Sequence, residues 1–287
     1  MGNSPAARGV VDGGIECPPG VEGHREIPLG GGHLSAVVRA GNTVRRPTGP
    51  WTPAVHALLR HLEAVGYDGA PRVLGIDELG REILSFIPGE AAAGGNPPPY
   101  VWTQETLIGV ARLLRRYHDA VASFVPPADA VWRTADLPPE RSEVICHNDI
   151  APWNTIFDRR SPVAFIDWDQ ASPGLKIWDV AYALWHFVPL YDEEKCAQLG
   201  CEASVDVRAR RVRGFCDGYG LPPARAVLGA VIERQRRARN RIRSLAEAGD
   251  PAYLRLWQSG VGEDIFRASR FVERNSPALA RYLTAKP

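Results

Sequence analysis

The stretch "VICHNDIAPWNTIFDRRSPVAFIDWDQASPG", residues 144–174, places oxygen-bearing side chains at the ends of three apolar runs. The first run leads into Asp149, Asn154 opens the second, and the third ends at Asp167, with Asp169 two residues later. Converging strand ends would bring a carboxylate, a carboxamide oxygen and a second carboxylate together. For any one of these residues taken alone, a structural role in a turn or a helix cap explains its presence as well as a functional role does. Their joint spacing favours a functional site.

Oxygen ligands of this kind suit Mg²⁺, which takes one or two protein carboxylates and leaves other positions to water and phosphate oxygens. With Asn154 and Asp167 as ligands, Asp149 stays free to orient and deprotonate a hydroxyl group. A metal that neutralises phosphates and a carboxylate base are the parts that a phosphoryl transfer needs. The stretch therefore predicts phosphoryl transfer to an alcohol.

The composition predicts a soluble, cytoplasmic protein. A chain of 287 residues with 45% hydrophobic residues can bury a large core, as one domain or as two lobes. Its longest apolar runs, such as residues 180–190, are shorter than a membrane span, and no signal pattern begins the chain. Five cysteines without a CxxC pair argue against a disulfide framework or a zinc site.

The first part of the chain predicts a small antiparallel sheet with one helix. Residues 1–25 read as a flexible tail without periodicity, and "REIPLGGGHLSAVVRAGNTVRRP" (25–47) reads as a three-stranded meander. A helix follows within residues 52–66, and a hairpin turns through residues 78–80. Residues 26–89 would form this N-terminal nucleotide-binding lobe.

The remainder, residues 90–287, predicts an α-rich catalytic and substrate-binding lobe. After the connector "GEAAAGGNPPPY", the apolar spacing predicts a helix over 103–121 and a buried helix over 176–188. Four further helices are expected at about 204–219, 223–248, 251–259 and 261–273.

Three segments carry a family resemblance. "CHNDIAPWNTIF", "FIDWDQASPG" and "WDVAYAL" resemble the catalytic loop, the metal-binding segment and the following helix of the aminoglycoside phosphotransferase and choline kinase-like family. That family shares its fold with protein kinases, and the resemblance covers roughly residues 27–275. It implies an α+β, bilobal kinase-like fold. It also implies ATP-dependent, Mg²⁺-requiring phosphorylation of a small-molecule hydroxyl group.

The resemblance also assigns roles to single residues. Asp149 would be the catalytic base, Asn154 and Asp167 the Mg²⁺ ligands, and Asp169 a direct or indirect metal contact. Asp179, in "WDVAYAL", would brace the catalytic loop by accepting hydrogen bonds from its backbone N–H groups. His147 would pack beneath the site rather than transfer a proton.

The nucleotide half departs from the family pattern. Gly30, Gly31 and Gly32 could let backbone N–H groups approach phosphates, although a plain flexible turn explains them equally well. The family expects a lysine on the third strand to bind phosphates. The three lysines of this chain, Lys176, Lys195 and Lys286, all lie far beyond that strand.

Arginine has to replace that lysine. Val44 and Arg46 share one face of the strand, so Val44 over the adenine would point Arg46 at the phosphates and Arg45 at solvent. Arg46 is therefore preferred to Arg45. The partner position on the family's helix, normally glutamate, falls on His56, while Glu63 comes one or two turns later. Guanidinium differs from ammonium in geometry, which puts the phosphate clamp in question.

"EILSFIPGEA" resembles the hinge between the lobes. Ser85, Phe86 and Ile87 would present backbone groups to the purine edge, with Phe86 and Ile87 as apolar contacts. An ordinary edge strand ended by Pro88 is the alternative. The hinge sequence leaves ATP and GTP both open as the nucleotide.

The acceptor is expected to bind among the C-terminal helices. "ERQRRARNRIRS" (233–244) spreads six arginines around a helix, which favours a solvated surface but leaves open that several line the acceptor cleft. The arginines dilute the field of the nearby acids, so we expect a neutral or anionic hydroxylated acceptor, such as a nucleoside-type antibiotic or a sugar. Four aromatic residues could stack on it, although core packing is their commoner role: Trp185, Trp257, Tyr253 and Phe266.

Three functions stay open at this point. A small-molecule kinase that inactivates an antibiotic is the leading interpretation, with a monomer and a homodimer equally compatible. A nucleotide-binding pseudoenzyme with a degraded phosphate clamp is the second. An RNA-binding protein that uses the arginine helix is disfavoured, because the net charge is +1 and no binding motif accompanies the arginines.

Overall fold

A computed structural model describes residues 25–29, 37–134, 137, 139–222 and 225–283. Nearly all of the predicted tail lies outside these residues, as do Gly30, Gly31 and Gly32. The described chain has the expected α+β architecture, with an antiparallel N-terminal sheet and a larger helical lobe. Among the described residues, no helix combines the length and the hydropathy of a membrane-spanning segment.

The N-terminal lobe is one five-stranded antiparallel sheet with a helix after its third strand. The strand order is β1-β2-β3-β5-β4, and the sheet places Val44 opposite Leu84 and Arg46 opposite Glu82. The helix packs an apolar face that includes Leu58, Leu59 and Leu62. The elements are β1 (Ile27–Pro28), β2 (Val38–Ala40), β3 (Thr43–Pro47), α1 (Thr52–Ala64), β4 (Val73–Ile76) and β5 (Arg81–Ser85).

The C-terminal lobe contains seven α-helices among the described residues and two small sheets, whose strands other than β6 lie between α2 and α3 in the chain. Its helices are α2 (Gln104–Ala120), α3 (Lys176–Phe187), α4 (Glu193–Gln198), α5 (Val205–Tyr219), α6 (Ala226–Glu247), α7 (Pro251–Gln258) and α8 (Val261–Leu279). One sheet orders β6 (Glu90–Ala91), β8 (Thr155–Asp158) and β9 (Ser161–Phe165), and the other pairs β7 (Val144–Cys146) with β10 (Ser172–Gly174).

Most of these elements match the predicted ones, but the short strands β6 and β10 were not predicted, and two helices also differ. The last helix was expected to end near residue 273 and continues to Leu279. The short helix α4 was not predicted at all. It spans six residues and begins where the Asp192 side chain accepts a hydrogen bond from the Lys195 N–H, a capping contact too local to give a periodic pattern.

Helix α2 lies at the centre of the large lobe and holds the strand that leads into the catalytic loop. It packs against α5 and β9, and Leu107, Leu114 and Tyr117 on its inner face are fully buried. The Tyr117 hydroxyl donates a hydrogen bond to the Ile145 carbonyl of β7 at 2.6 Å. This buried contact fixes the position of β7 against α2, and therefore the position of the loop that follows β7.

Buried arginines of α5 tie the helices together. Arg208 is fully buried, donates to the carbonyls of Tyr191 (2.6 Å) and Ala203, and lies over the Phe271 ring at 4.4 Å. Buried carbonyl groups without donors are costly, so these bonds matter more than surface ion pairs.

We expect Arg208→Ala to lower the free energy of unfolding by about 3 kcal/mol, since two buried carbonyls lose a charged donor. Arg210→Ala is the matched control, because Arg210 lies on the exposed side of the same helix and pairs with Asp206. That change should cost less than about 1 kcal/mol. Urea denaturation of both variants measures the difference, and equal losses would contradict a structural role for Arg208.

Candidate active site

A buried carboxylate on α3 holds the loop that follows β7. Asp179 is fully buried and accepts hydrogen bonds from the backbone N–H groups of His147 (2.8 Å) and Asn148 (2.7 Å). His118 contacts the same carboxylate through Nε2 at 3.1 Å. Burial alone would raise the pKa of Asp179, but the hydrogen bond from His118, the nearby His147 and the hydrogen bond from the Asn148 backbone together lower it. The carboxylate is therefore ionised and fixes the loop backbone.

His147 packs beneath this loop as a neutral ring. It is fully buried, its Nε2 lies 3.1 Å from the Ile166 carbonyl, and its Nδ1 accepts the Asp149 N–H at 3.3 Å. Its ring centroid is 4.5 Å from that of Trp168, and burial lowers its pKa. Because both ring nitrogens are engaged within the chain, neither is placed to exchange a proton with a substrate.

The loop presents Asp149 at a half-buried position. Asn148 has φ +67°, and this left-handed turn, which asparagine tolerates better than most residues, aims the next side chain outward. The Asn154 Nδ2 donates to the Asp149 Oδ2 at 2.8 Å and to its backbone carbonyl at 3.0 Å. The Tyr182 hydroxyl also hydrogen-bonds the carboxylate.

The surroundings raise the pKa of Asp149 to about 7. Burial is the largest cause, and the charge of Asp167 adds to it, while Tyr182, Asn154 and Arg234 act in the opposite direction. A carboxylate poised in this way has the character of a general base.

Asn154 and Asp167 lie side by side at the ends of β8 and β9. The Ile166 N–H donates to the Asn154 carbonyl at 2.9 Å, and Asp167 follows with φ +62°. This conformation turns the Asp167 side chain outward, where 45% of it is exposed. Because the Asn154 Nδ2 donates to Asp149, the Asn154 Oδ1 is the side-chain atom that could ligate a metal ion.

The two side chains fit a hydrated Mg²⁺ ion shared with phosphates. No group of three or more His, Cys, Asp or Glu residues forms a metal site within the described ranges. Mg²⁺ does not require one, because it keeps several waters and binds one or two carboxylates plus substrate phosphates. The repulsion between Asp149 and Asp167 also favours a cation between them.

Arg46 joins the N-terminal sheet to these carboxylates. Its Nε lies 3.0 Å from Glu82, and its Nη2 lies 3.0 Å from Asp167 and 2.6 Å from Asp169. Burial opposes the charge, but the three carboxylates raise the pKa of Arg46 above its ordinary value. This one guanidinium therefore bridges the two lobes.

Glu82 is the acidic partner of Arg46, a role for which the sequence offered no glutamate at the expected position on α1. His56 on α1 lies 2.8 Å from the Glu82 Oε2, so the acid of β5 sits between His56 and Arg46. Glu63 lies elsewhere, half-exposed and 3.9 Å from Arg72. An acidic residue within the otherwise apolar strand "REILS" was the one local sign that Glu82 has a buried partner. That the partner is Arg46 depends on the pairing of β3 with β5.

Arg45 does not point to solvent as expected. It lies on the opposite face of β3 from Arg46, is only 8% exposed, and its Nε is 3.6 Å from the Asp77 carboxylate. The predicted alternation of Arg45 and Arg46 along the strand was correct, but Arg45 is buried on its own face of the sheet, next to Asp77. Val44 is half-buried on the same strand.

Asp169 faces two guanidinium groups. The same Oδ2 that contacts Arg46 lies 3.3 Å from Arg133, whose guanidinium stands 4.5 Å from the Trp51 ring centroid. Burial raises the pKa of Asp169, and Arg46 opposes this shift. The structure thus places Asp169 in an ion-pair cluster. Its contact with a metal stays a prediction.

The hinge segment is already bonded to the sheet at two positions. The Ser85 N–H donates to the Arg72 carbonyl at 2.9 Å, and the Phe86 N–H donates to the Asn42 carbonyl at 2.8 Å. The Arg39 guanidinium covers the Phe86 ring at 3.7 Å. Two of the N–H groups expected at the purine edge are therefore engaged within the protein, and Ile87 is the next residue along the segment.

The aromatic residues proposed for the acceptor are mostly packed. Trp185 and Tyr253 are buried, while Trp257 and the exposed Phe266 flank Arg239 at 5.6 and 5.4 Å. Trp153, four residues after Asp149 in the chain, is exposed and was not among the predicted aromatic residues.

Tyr182 was missed as well, although it lies three residues after Asp179 on α3. Residues three apart share a helix face, so its position toward the loop could have been inferred once Asp179 was placed there.

Comparisons with known proteins agree with this geometry. The profile of the phosphotransferase enzyme family matches residues 129–228, which include the loop after β7 and the two carboxylates that follow β9, Asp167 and Asp169. The trifolitoxin immunity protein of Rhizobium leguminosarum bv. trifolii is 44% identical over 214 residues, which are 73% of this chain and 78% of that protein.

Solved structures share the fold at low sequence identity. The GDP complex of aminoglycoside 2′-phosphotransferase-IIIa superposes with a TM-score of 0.56 at 14% identity, over 89% of this chain and 94% of the other. A macrolide 2′-phosphotransferase from Brachybacterium faecium gives a TM-score of 0.51 at 14% identity, over 81% and 89%. With a close relative over most of its length, a matching profile across the site and a kinase-like fold, the chain belongs to the phosphotransferase enzyme family.

Proposed function

We propose that this protein is an ATP-dependent, Mg²⁺-requiring phosphotransferase that phosphorylates a hydroxyl group of a small natural product. The observation that carries the proposal is the half-buried Asp149, held by Asn154 and Tyr182 beside the exposed carboxylate of Asp167. Residues 26–89 would form the nucleotide-binding lobe and residues 90–287 the catalytic lobe, in the cytoplasm.

The chain's own residues define the transfer. Asp149 accepts the proton of the acceptor hydroxyl while that oxygen forms a bond to the γ-phosphorus of the nucleotide. The bond between this phosphorus and the β,γ-bridging oxygen breaks, and the nucleoside diphosphate leaves with its electron pair. Asn154 orients the Asp149 carboxylate through its Nδ2, and Asp179 keeps the loop backbone in place.

Mg²⁺, when bound, would neutralise negative charge on the transferred phosphates. Asn154 and Asp167 would hold it, with Asp169 as a direct or indirect contact. Val44 and Ile87 would contact the purine, whereas the N–H groups of the other two hinge residues, Ser85 and Phe86, are engaged within the protein. The described structure leaves ATP and GTP both open, and one neighbouring phosphotransferase is a GDP complex.

Arg46 would serve the phosphates in place of the family's lysine. Glu82 and His56 hold it in position, so the ion pair characteristic of the fold is rebuilt as Arg46–Glu82–His56. Gly30, Gly31 and Gly32 would cover the phosphates from above, a role that stays a prediction.

The biological role we propose is protection from an antibacterial compound. The 44% identical relative carries the name of an immunity protein, and structural neighbours are named as phosphotransferases of aminoglycosides and macrolides. Phosphorylation adds charge to a hydroxyl group and so alters how a compound binds its target.

Asp149→Asn should lower the turnover number by roughly 10³-fold because it removes the base, while nucleotide affinity stays nearly unchanged. Asp158→Asn is the matched control, since Asp158 is an exposed aspartate at the end of β8. Mass spectrometry of a hydroxyl-compound panel with Mg-ATP and Mg-GTP measures transfer, and a fluorescent nucleotide measures binding. Retained turnover in Asp149→Asn would show that another group is the base.

Arg46→Ala should weaken nucleotide binding by at least about tenfold, because a buried charge that faces the phosphates is lost. Arg45→Ala is the control on the opposite strand face, where Asp77 is the neighbour. Arg46→Lys keeps the charge and separates lost charge from lost packing. Titration with a fluorescent nucleotide and a thermal unfolding scan measure both properties, and equal weakening in the two alanine variants would refute the role of Arg46.

Asp167→Asn should weaken Mn²⁺ binding in the presence of ADP by about tenfold, since one of the proposed anionic ligands becomes neutral. Electron paramagnetic resonance of free Mn²⁺ gives the affinity without requiring turnover. Asp169→Asn is the informative comparison. A small effect would leave Asp169 as an ion-pair partner of Arg46 and Arg133, whereas an equal effect would make it a metal contact.

A further inference from the structure

Two cysteines meet where the short helix α4 ends. The Cys201 N–H donates to the Cys196 carbonyl at 3.1 Å, and the Gly200 N–H donates to the Ala197 carbonyl at 3.2 Å. Gly200 has φ +63°, the left-handed conformation that ends many helices. Together these features form a Schellman motif, in which the side chains of the first and last residues typically touch. Here those residues are Cys196 and Cys201.

A hydrogen bond joins the two thiol groups. The Cys201 Sγ lies 3.5 Å from the Cys196 carbonyl oxygen, and its side chain hydrogen-bonds that of Cys196. Both cysteines are free thiols. A disulfide requires Cα atoms that lie close together and side chains that face each other. The backbone hydrogen bond meets the first condition and the thiol contact meets the second, so little movement is needed to form an S–S bond.

The two thiols differ in access and in charge. Cys196 is fully buried, whereas Cys201 is half-buried. The hydrogen bond from Cys201 lowers the pKa of Cys196 against the effect of burial, and the Arg208 charge adds to this. The same hydrogen bond raises the pKa of Cys201. The half-buried sulfur therefore keeps its proton, while the buried sulfur is the better nucleophile, because thiolates rather than thiols attack.

Arg208 can stabilise a thiolate because its printed donors serve neutral groups. Its guanidinium donates to the carbonyls of Tyr191 and Ala203, and its Nε is buried without a hydrogen-bond partner among the described residues. The guanidinium is fully buried, so its charge is poorly screened by water. A negative sulfur nearby offsets part of the cost of burying this cation.

The other cysteines of the described ranges lie in surroundings that suppress reactivity. Cys146 and Cys216 are fully buried, and burial raises the pKa of each, that of Cys216 to about 12. The Cys146 Sγ also donates to the Leu175 carbonyl at 3.2 Å. Buried thiols with raised pKa values are structural and inert. They serve as internal references for the reactivity of the pair at α4.

We propose that Cys196 and Cys201 form a reversible oxidation site, which closes to an intramolecular disulfide when the protein meets hydrogen peroxide. The Cys196 thiolate takes the proton of Cys201, whose sulfur attacks one peroxide oxygen. The O–O bond breaks, and the leaving hydroxide recovers the proton from Cys196 as water. The Cys196 thiolate then attacks the sulfenic sulfur of Cys201, the S–O bond breaks and hydroxide leaves. Two thiols are oxidised and one peroxide is reduced.

Closure would change the contact between α4 and the end of α3. In the reduced chain the Cys196 Sγ lies 3.6 Å from the Pro189 carbonyl and 4.0 Å from the Tyr191 carbonyl, and the disulfide removes this S–H donor. In the cytoplasm, where we propose that the protein acts, thiol buffers keep such pairs reduced, so the disulfide would be transient. Neither step involves a nucleotide or Mg²⁺, and the site can therefore be tested without turnover.

One tryptic peptide reports the reaction. Cleavage after Lys195 and after Arg208 releases residues 196–208, which contain both cysteines of the pair and no other. The full-length protein is treated with hydrogen peroxide, its remaining thiols are blocked with N-ethylmaleimide in denaturant, and the peptides are analysed by mass spectrometry. We expect this peptide to lose two hydrogen atoms and carry no maleimide, at least about tenfold faster than Cys216 is oxidised. Dithiothreitol should restore both thiols.

Variants test the order of the two steps. In Cys196→Ala, Cys201 should stop at the sulfenic acid, which dimedone traps, because the second sulfur is missing. In Cys201→Ala, Cys196 should react at least about tenfold more slowly than the pair, since the buried sulfur has to meet the oxidant itself. Cys216→Ala is the matched control and should leave closure unchanged. Near-ultraviolet circular dichroism reports that each variant is folded.

Three results would overturn the proposal. In the first, the peptide keeps two free thiols after Cys216 has reacted. In the second, either cysteine of the pair is found joined to another peptide. The third concerns the equilibrium with oxidised dithiothreitol, in which we expect the folded chain to favour the disulfide at least about tenfold over the urea-unfolded chain. Equal values would show that the end of α4 does not hold the sulfurs together.

Discussion

The Arg46 guanidinium is the contact on which the geometry of the site depends. It reaches from β3 to Glu82 within the sheet and to Asp167 and Asp169 across the cleft, and it is only 7% exposed. Burying a charge is costly unless it is paired, and three carboxylates around one cation meet this condition while leaving a net negative cluster. The negative cluster is suited to a metal ion, and the cation is suited to phosphates. Both properties follow from the same contact.

A second constraint, the buried Asp179 carboxylate, holds the backbone of the catalytic loop in place. Asp179 accepts two consecutive backbone N–H groups, and His147 fills the space beneath with both nitrogens bonded. With its backbone fixed at these points, the loop can place Asn148 in a left-handed conformation and aim Asp149 outward. Strain of this type persists only where the surrounding structure overdetermines it. The Asp149 side chain, the proposed base, is therefore held in place by the protein itself.

Charges are distributed unevenly among the C-terminal helices. Around α4 and α8, Arg267 contacts Asp192, Glu194 and Asp264, and Lys195 contacts Asp264, whereas Arg234 donates to the Asn148 carbonyl in the loop after β7. Counting charges along the chain could not show this, because the net charge is +1 and acids and arginines alternate in the same segments. The pairing pattern, rather than the composition, sets the local field.

Most helices and strands, the α+β class and the acid-rich stretch 144–174 could be predicted from the sequence, because period, turn residues and the spacing of acids are local properties of the chain. The absence of lysine from the first 175 residues was also visible there. Long-range contacts were needed to show that Glu82 joins Arg46 to His56, that Arg45 is buried against Asp77, and that Arg234 is the arginine at the loop. These contacts depend on the pairing of β3 with β5 and on the packing of α6 against α3. Both join residues far apart in the chain, and no local pattern encodes their register.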